Sequence, residues 1–406
     1  MPDYTNFLSR FGVSMMPNPI RKMTKLLSRA EIVALGAGAP SVETFPQEEI
    51  AEIAAKVLRD GGRAALQYGP SRGLNSLLEE ITKIMHARGV RSASPSKIVV
   101  TTGSQQGLDL VSRLFVDAGD IVMVELPSYI GGLIAIHNGG AEFVGVRQDS
   151  EGINIDDLCL KIDRARESGR RVKLIYTIPN FQNPSGVTLS AARRNQLVEI
   201  AEKYDLLIIE DDPYGELYFN TALERPASLV ALCPQRVIYL SSFSKVLAPG
   251  LRTAWVCAPE EISAKMELAK EGADLSSSIL DQAIVAEAAR SGLIERRLPE
   301  IRKFYGDRCR AMLDTLSRQA PAKAKWTEPT GGFFVLMEVD SRIDATAMLP
   351  EAIESGVAYV PGQPFFVDSS GSNTLRLAYS KESTERIIQG IEILCRILKQ
   401  KAGIID

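Results

Sequence analysis

One lysine stands directly after an apolar, strand-like run and has serine and arginine residues around it. The stretch reads SSFSKVLAPGLR and contains Ser242, Ser244, Lys245 and Arg252. A lone lysine is most often a solvated surface charge. A lysine amine can also react with a carbonyl compound, and serine hydroxyls and an arginine suit a phosphate group. Whether this stretch does chemistry depends on the residues that follow the other strands.

Composition excludes several classes of protein. The chain has 406 residues, which predicts two domains, and its 47 basic and 50 acidic side chains do not suggest a nucleic-acid surface. The two histidines, His86 and His137, are too few for a Ser-His-Asp triad or a histidine-rich site, so we expect no metal. Five scattered cysteines favour reduced thiols in a cytoplasmic protein. We expect neither a secretory signal nor a membrane-spanning helix.

The elements that must position these residues are readable from about residue 97 onwards. Short β-rich runs alternate with helical patterns there, which is typical of a mostly parallel sheet covered by helices on both faces. After about residue 280, a long helical region leads into an α+β pattern that contains VAYVPG and TLRLAYS. We predict an α/β fold whose three-layer large domain spans 46–290, with a smaller α+β domain at 291–406 and an N-terminal arm at 1–45.

Polar residues gather after five of these strands, where ligands bind in parallel α/β sheets. Some have an ordinary alternative, such as Ser104 as a helix cap or Asn183 as a turn former. Asp211 differs because a carboxylate at the end of a buried strand is costly without a partner, so we expect a cationic one. In chain order the strand ends supply Ser104 and Gln105, Tyr129, Asn183, Asp211 with Tyr214, and finally Ser242, Ser244, Lys245 and Arg252.

These groups converge on one ligand, pyridoxal 5'-phosphate, a flat phosphorylated aldehyde with a basic ring nitrogen. A helix N-terminus, serines and an arginine suit its phosphate, and an aromatic side chain suits its ring. Asp211 suits the ring nitrogen, and Lys245 suits the aldehyde. Asparagine and tyrosine donors suit the ring oxygen. We therefore predict pyridoxal 5'-phosphate as the cofactor.

Seven motifs, in this order, resemble those of the fold-type I pyridoxal-phosphate aminotransferases of class I/II. Within that family the chain is most similar to the 2-aminoadipate, kynurenine and aromatic amino acid aminotransferases. The resemblance implies transfer of an amino group from an α-amino acid to a 2-oxo acid such as 2-oxoglutarate. The motifs are ALQYGPSRG, TTGSQQGL, PSY, PNFQNPSG, IIEDDPYGEL, SFSKVLAPGLR and LRLAYS, and the resemblance covers about residues 20 to 380.

The resemblance also implies a role for each residue at the strand ends. Lys245 would be the Schiff-base lysine and would move the proton at the substrate Cα, while Asp211 would pair with the ring nitrogen. Asn183 and Tyr214 would hold the ring oxygen, Asn183 also facing the substrate, and Tyr129 would stack on the ring. The residues that would bind the phosphate are Ser104, Gln105, Ser242, Ser244 and Arg252.

Further positions outside the strand ends follow from the resemblance. Arg376, in TLRLAYS, would clamp the substrate α-carboxylate through its planar fork. Tyr68 would reach the phosphate of the neighbouring subunit, which implies a homodimer with shared active sites. Arg21 matches an arm arginine linked to distal carboxylate or mobile-arm contacts, with a solvated helix arginine as the alternative. Gly38 and Ala39 stand where family members often carry Gly-Gly, in the arm that sets side-chain specificity.

Two other functions stay open at this point. The same cofactor residues would support a lyase, a cyclase or a carbon–carbon bond-forming enzyme of a biosynthetic pathway, because fold and cofactor do not fix the reaction. A regulatory module fused to a DNA-binding winged helix is disfavoured, since no winged-helix pattern precedes residue 20 and the charge is balanced. Conversion of the bound cofactor by an amino donor would distinguish a transferase from a lyase.

Overall fold

The computed structural model describes residues 4–17, 31–220, 222 and 225–403 of the chain. Its strands are β1 Val33–Ala34, β2 Ile98–Thr102, β3 Ile121–Leu126, β4 Glu142–Asp149, β5 Gly152–Ile153, β6 Val172–Thr177, β7 Leu207–Asp211, β8 Val237–Ser242, β9 Thr253–Cys257, β10 Lys325–Trp326, β11 Phe334–Glu338, β12 Val357–Ala358, β13 Val360–Pro361 and β14 Thr374–Ala378. Its α-helices are Arg10–Ser14, Gln47–Ala65, Asn75–Ala87, Ser104–Phe115, Ile130–His137, Ile155–Glu167, Ala191–Lys203, Leu229–Leu232, Glu260–Asp274, Ile279–Arg290, Leu293–Gln319, Ala345–Glu354 and Thr384–Lys401. Short 3-10 turns lie at Thr5–Phe7, Val42–Thr44, Pro95–Lys97, Phe243–Lys245, Pro249–Leu251 and Gln363–Phe365.

Eight strands form one large sheet in the order β2-β9-β8-β7-β6-β3-β4-β5. The strands β3, β4, β6, β7 and β8 are mutually parallel, whereas β9 runs antiparallel to both β2 and β8. Almost every residue of the central strands is buried, which explains why they read as continuous apolar runs rather than as alternating patterns. The predicted α/β class with a mostly parallel sheet is confirmed.

Several helices begin at polar residues whose side chains accept from backbone N–H groups of the first turn. Asn154, Ser190 and Ser383 do so at three different helices, as expected for N-caps. The long helical region predicted after residue 280 divides at Gly292, which adopts φ +70° and so separates Ile279–Arg290 from Leu293–Gln319. None of the described helices combines the length and apolarity that a membrane span requires.

A second sheet of four antiparallel strands has the order β10-β11-β14-β13, which matches the predicted C-terminal α+β pattern. The stretch VAYVPG forms two short strands that serve different sheets, because β12 pairs with β1 while β13 pairs with β14. The arm segment before the first long helix is thereby hydrogen-bonded to the C-terminal part of the chain. The domain boundaries at residues 45 and 290 stay a prediction, and the predicted arm helix PIRKMTKLLSRA lies outside the described residues.

Candidate active site

The residues predicted at the strand ends share one edge of the large sheet. Since β2 is antiparallel to β9 and β9 is antiparallel to β8, β2 points the same way as the parallel strands. The carboxyl ends of β2, β3, β6, β7 and β8 therefore meet at the same edge, as the sequence argument requires. The second sheet contributes one further group to this edge, because Arg376 of β14 contacts Asn183, which follows β6.

Asp211 is the last residue of β7, and the residue is 2% exposed. The hydroxyl of Tyr176 donates to its Oδ2 at 3.0 Å, while Oδ1 has no hydrogen-bond partner. Burial raises the pKa of Asp211 to about 7, and the Tyr176 hydrogen bond and the Lys245 charge act against that rise. Asp211 joins no ion pair within the described part of the chain, so the expected cationic partner stays a prediction.

Lys245 ends the short turn that follows β8, and its side chain is half-buried. Its ammonium lies 5.8 Å from the centre of the Phe333 ring. Burial and, after it, the positive charge of Arg252 lower the pKa of Lys245 from its usual 10.5 to about 8, against the opposing effect of Asp211. At pH 7 about a tenth of this lysine is then the unprotonated amine, which is the form that reacts with a carbonyl group.

An anion-binding cradle lies where β2 leads into the helix Ser104–Phe115. Gly103 adopts φ +82°, and a Cβ atom at this position would overlap the guanidinium of Arg252. Arg252 itself has φ +46° and donates from Nη2 to the carbonyl oxygen of Thr102 at 3.3 Å. The guanidinium thus lies against the N-terminal end of that helix, whose first backbone N–H groups favour anions.

Two serine hydroxyls lie at the end of β8 and in the turn after it, and β9 separates β8 from the strand that leads to this cradle. Ser242 ends β8, and its hydroxyl donates to that of Ser244 at 2.8 Å. The Ser242 oxygen also accepts from the backbone N–H of Ser244 at 3.0 Å, so the two side chains hold each other in place. Both residues are buried, and they lie three residues and one residue before Lys245 in the chain. A phosphate bound to these two hydroxyls would therefore lie close to the Lys245 amine.

Gln105 and Tyr129 are both tied to the helix Ile130–His137. The Gln105 side chain donates to the carbonyl oxygen of Gly131 at 2.7 Å. The Tyr129 ring lies over the same glycine, because a Cβ atom on Gly131 would overlap the ring. Gly131 therefore lets the helix approach the ring closely and restrains the position of Tyr129. The predicted phosphate contact of Gln105 and the predicted stacking of Tyr129 stay predictions.

Arg376 is a buried cation, 3% exposed, without an acidic partner among the described residues. It donates from Nη1 to Asn183 Oδ1 at 3.0 Å and from Nη2 to the carbonyl oxygen of Gly36 at 2.9 Å, while its Nε has no partner. Burial lowers the pKa of Arg376 to about 10, although nearby tyrosines oppose this effect. A buried guanidinium with a donor to spare is suited to a carboxylate ligand.

Aromatic side chains surround this arginine. The guanidinium of Arg376 lies 4.4 Å from the centre of the Phe334 ring, and the Tyr214 ring meets Phe334 edge-on at 5.9 Å. Burial raises the pKa of Tyr214, while an interaction with the Asn183 side chain lowers it. Phe334 and Tyr214 form an aromatic wall beside Arg376. A Cβ atom on Gly38 would lie 2.6 Å from the Phe334 ring, so the arm passes close to this wall.

Tyr68 is not brought to the site by any hydrogen bond within the described part of this chain. It is 82% exposed. Leu66, two residues before it in the chain, is exposed as well. Arg21 lies outside the described residues. The roles of Tyr68 and Arg21 stay predictions.

Among the residues that contact or support the site and escaped the sequence analysis, three are Tyr176, Phe334 and Glu125. Tyr176 lies within an apolar strand, and only the β6–β7 register, which pairs it with Ile209, puts its ring on the same face as Asp211 two residues further on. Phe334 likewise becomes a neighbour of Arg376 through the β11–β14 register. Paired strands of known register would have revealed both contacts, but register is not readable from either strand alone.

The third is Glu125, a buried carboxylate of β3. It accepts hydrogen bonds from the Thr177 hydroxyl at 2.8 Å, from the backbone N–H of Ile178 at 3.1 Å and from Gln182 Nε2 at 3.1 Å. Gln182 directly precedes Asn183, so Glu125 supports the turn that carries this amide. A glutamate inside the run IVMVEL was the signal available in the sequence.

The groups at this edge fit the cofactor predicted from the sequence. The cradle of Gly103 and Arg252 suits a phosphate, and the unpartnered Oδ1 of Asp211 suits a protonated ring nitrogen. Lys245, with its lowered pKa, suits an aldehyde. The unpartnered Nε of Arg376 leaves donor capacity for the carboxylate of an amino acid.

Comparison with known proteins points the same way. The family model described as aminotransferase class I and II matches residues 30–393. The aromatic-amino-acid aminotransferase 1 of Thermococcus litoralis is 40% identical over 400 residues, covering 98% of this chain and 95% of that protein. The structure of a Pyrococcus horikoshii kynurenine aminotransferase in complex with PMP has a TM-score of 0.93 at 38% identity, with 98% of each chain covered. LysN, an α-aminoadipate aminotransferase of Thermus thermophilus complexed with N-(5'-phosphopyridoxyl)-L-leucine, has a TM-score of 0.91 at 36% identity over the whole of both chains.

Proposed function

This chain belongs to the class I and II aminotransferases, pyridoxal-phosphate enzymes that move amino groups from amino acids to 2-oxo acids, and we propose that its donors are large α-amino acids. The candidates are 2-aminoadipate, kynurenine and the aromatic amino acids, with 2-oxoglutarate as an acceptor. The names of similar proteins support this range, since they include aromatic, kynurenine and α-aminoadipate aminotransferases. The observation that carries the proposal is the buried Arg376 without an acidic partner, beside an aromatic wall.

Arg376 would orient the substrate. Its guanidinium would bind the α-carboxylate, and its bond to Asn183 would keep the fork in place while the substrate enters. Phe334, which touches both Arg376 and the arm at Gly38, would then face the part of the substrate that differs between donors. Side-chain selection would depend on the arm and on this wall.

Lys245 would carry the proton transfers. The cofactor, when bound, supplies an electron-withdrawing ring that stabilises negative charge at the substrate Cα. The Lys245 amine would take the proton from Cα and return it, a task that requires a base with a pKa near the working pH. Burial at the site and the nearby Arg252 charge both move its pKa in that direction.

Asp211 and the cradle would hold the cofactor. Oδ1 of Asp211 would accept from the ring nitrogen, while Asn183 and Tyr214 would contact the ring oxygen. Tyr129 would lie against the ring. The phosphate contacts proposed from the sequence are those of Ser104, Gln105, Ser242, Ser244 and Arg252.

A half-reaction tests the proposed donors. Purified protein loaded with pyridoxal 5'-phosphate is mixed with one amino acid at a time, without an acceptor, and the absorbance of the bound cofactor is followed. We expect conversion to the amine form with 2-aminoadipate, kynurenine or an aromatic amino acid, together with release of the corresponding 2-oxo acid. Conversion only by small donors would contradict the proposed range. Product release without conversion would favour the lyase alternative.

We also propose that the chain forms a homodimer in which Tyr68 serves the partner's phosphate site. The exposed ring of Tyr68 and the exposed side chain of Leu66, two residues before it in the chain, support an interface there. Mixed dimers of Tyr68→Ala and Lys245→Ala chains test it, because one of the two sites in each hybrid would be intact if Tyr68 acts across the interface. Activity recovered on mixing two nearly inactive variants is expected, and the absence of recovery would contradict it.

The proposed compartment is the cytoplasm. All five cysteines are free, and four of them are buried, which supports a protein that works with its thiols reduced. Fractionation of cells that express the full chain would test this location directly.

A further inference from the structure

The two oxygens of Asp211 have unequal surroundings. Oδ2 accepts a hydrogen bond from the Tyr176 hydroxyl at 3.0 Å, and Oδ1 has no partner although it is buried. Tyr176 is 0% exposed, so water does not compete for its hydroxyl. An unpartnered buried acceptor is costly, which suggests that Oδ1 meets a donor when the site is complete.

The position of the Tyr176 hydroxyl is restrained by the helix beneath it. A Cβ atom on Gly132 would overlap this hydroxyl, so the helix Ile130–His137 approaches the ring as closely as a glycine allows. The neighbouring Gly131 makes the same kind of room for the Tyr129 ring. Two successive glycines therefore accommodate two tyrosines of the site, and Tyr176 has little space in which to turn away from Asp211.

The adjacent aspartate provides an internal comparison. Tyr239, another buried tyrosine of the same sheet, donates to Asp212 Oδ2 at 3.0 Å. The other oxygen of Asp212 accepts from Asn180 Nδ2 at 2.9 Å, so both oxygens of this carboxyl group are bonded within the chain. Asp211 and Asp212 thus each have one tyrosine donor, but only Asp211 keeps an oxygen for a ligand.

We propose that Tyr176 is a positioning residue of the cofactor site, which keeps the Asp211 carboxylate ionised and turns its free oxygen toward the ring nitrogen of the cofactor. This inference rests on the proposed roles of Asp211 and the cofactor. The Tyr176 hydroxyl can donate to Asp211 Oδ2 only when this oxygen carries no proton. A hydrogen bond to the ionised carboxylate stabilises the ionised form. Because burial and the neighbouring Asp212 both oppose ionisation of Asp211, loss of this donor would favour the neutral acid.

The test compares Tyr176→Phe with Tyr239→Phe, two changes that each remove one buried hydroxyl from an aspartate. The ligands are pyridoxamine 5'-phosphate, whose amine cannot react with Lys245, and its 1-deaza analogue, in which carbon replaces the ring nitrogen. Equilibrium dissociation constants are measured for both ligands with the purified chain and no substrate. The ratio of the two constants isolates the contact at the ring nitrogen, since general weakening of the site cancels in it.

We expect the wild-type chain and Tyr239→Phe to prefer the nitrogen-containing ligand to the same extent. Tyr176→Phe should reduce that preference by about tenfold, the loss expected for one hydrogen bond to a charged group. An unchanged ratio in Tyr176→Phe, or an equal loss of affinity for both ligands, would assign a structural role to Tyr176 and overturn the proposal. No preference in the wild-type chain would instead contradict the proposed role of Asp211, and the half-reaction with amino donors tests the proposed function separately.

Discussion

Arg376 Nη1 donates to Asn183 Oδ1 at 3.0 Å, although 193 residues separate the two in the chain. Arg376 belongs to the second sheet, whereas Asn183 follows a strand of the large sheet. The bond therefore joins the residue proposed to bind the substrate carboxylate to one proposed to hold the cofactor ring. Substrate and cofactor would be oriented with respect to each other by a single contact.

Replacing Arg376 with lysine should weaken substrate binding while the positive charge is retained. A lysine ammonium cannot form the planar two-donor contact, so we expect KM for every amino donor to rise about 10- to 100-fold. Steady-state kinetics with several donors measure this. The matched control is Arg193→Lys, an arginine whose guanidinium donates to Asp149 and to the carbonyl oxygens of Gly152 and Ile153. Equal effects of both changes would contradict a direct role for Arg376.

Lys245→Ala should abolish transamination without preventing folding. Loss of the amine removes the proposed base, and removing such a group costs about 10²- to 10⁴-fold in rate. The absorbance characteristic of the cofactor bound to lysine should disappear at the same time. The variant should retain its far-ultraviolet circular dichroism, and full activity in it would exclude Lys245 from the chemistry.

The reactivity of Lys245 should depend on pH with an inflection near 8 in the cofactor-free protein, because its pKa is lowered to about that value. The rate of reaction with pyridoxal, which lacks the phosphate, should fall about tenfold per pH unit below the inflection, as the amine becomes protonated. Arg252→Gln removes a positive charge and should move the inflection to higher pH. Arg113→Gln, at the far end of the helix Ser104–Phe115, should leave it unchanged.

Glu125 should make the cofactor-free protein less stable as pH rises toward neutrality. Burial raises its pKa from 4.5 to about 7, so the folded state binds its proton more tightly than the unfolded state does. Its contribution to the free energy of unfolding is therefore complete below about pH 4.5 and is lost as pH rises through 7. The glutamine of Glu125→Gln does not titrate. The decline of the free energy of unfolding with pH should therefore be smaller in this variant, by up to about 1.4 kcal/mol per pH unit.

Urea unfolding at several pH values between 5 and 7.5 measures the Glu125 effect as the difference between wild type and variant. The comparison matters because Glu210 and Asp211 are also buried with raised pKa values and would contribute the same trend to both proteins. Parallel curves for the two proteins would mean that Glu125 stays ionised in the folded state.

Gly38→Ala should change donor preference more than it changes stability. A methyl group there would come within 2.6 Å of the Phe334 ring, which would have to move and disturb the wall beside Arg376. We expect kcat/KM for large aromatic donors to fall about tenfold relative to kcat/KM for alanine as the amino donor. A loss of this size is common when the shape of a binding pocket changes. Ala39→Gly, the neighbouring arm position, is the control, and an unchanged donor profile in Gly38→Ala would contradict a role of the arm in selection.

Much of this site was predictable because the sheet is mostly parallel. Continuous apolar runs such as those of β3 and β7 indicate strands that are buried on both faces of the sheet. The carboxyl ends of parallel strands meet at one edge of the sheet. Polar residues at or shortly after the ends of those strands, including Asn183, Asp211 and Lys245, could thus be grouped before any contact was known. The bend at Gly292 and the division of VAYVPG between two sheets were not predictable, since both depend on how distant elements pack.

The sequence by itself determined the fold class, the family and the residues that gather at the sheet edge, since local apolar patterns and short motifs carry that information. Only the tertiary structure decided which partner each residue takes. Tyr176 reaches Asp211 through strand register, and Arg376 reaches Asn183 because a second sheet lies against the first. These contacts join residues far apart in sequence, and their geometry follows from side-chain packing between elements rather than from the pattern within any one element.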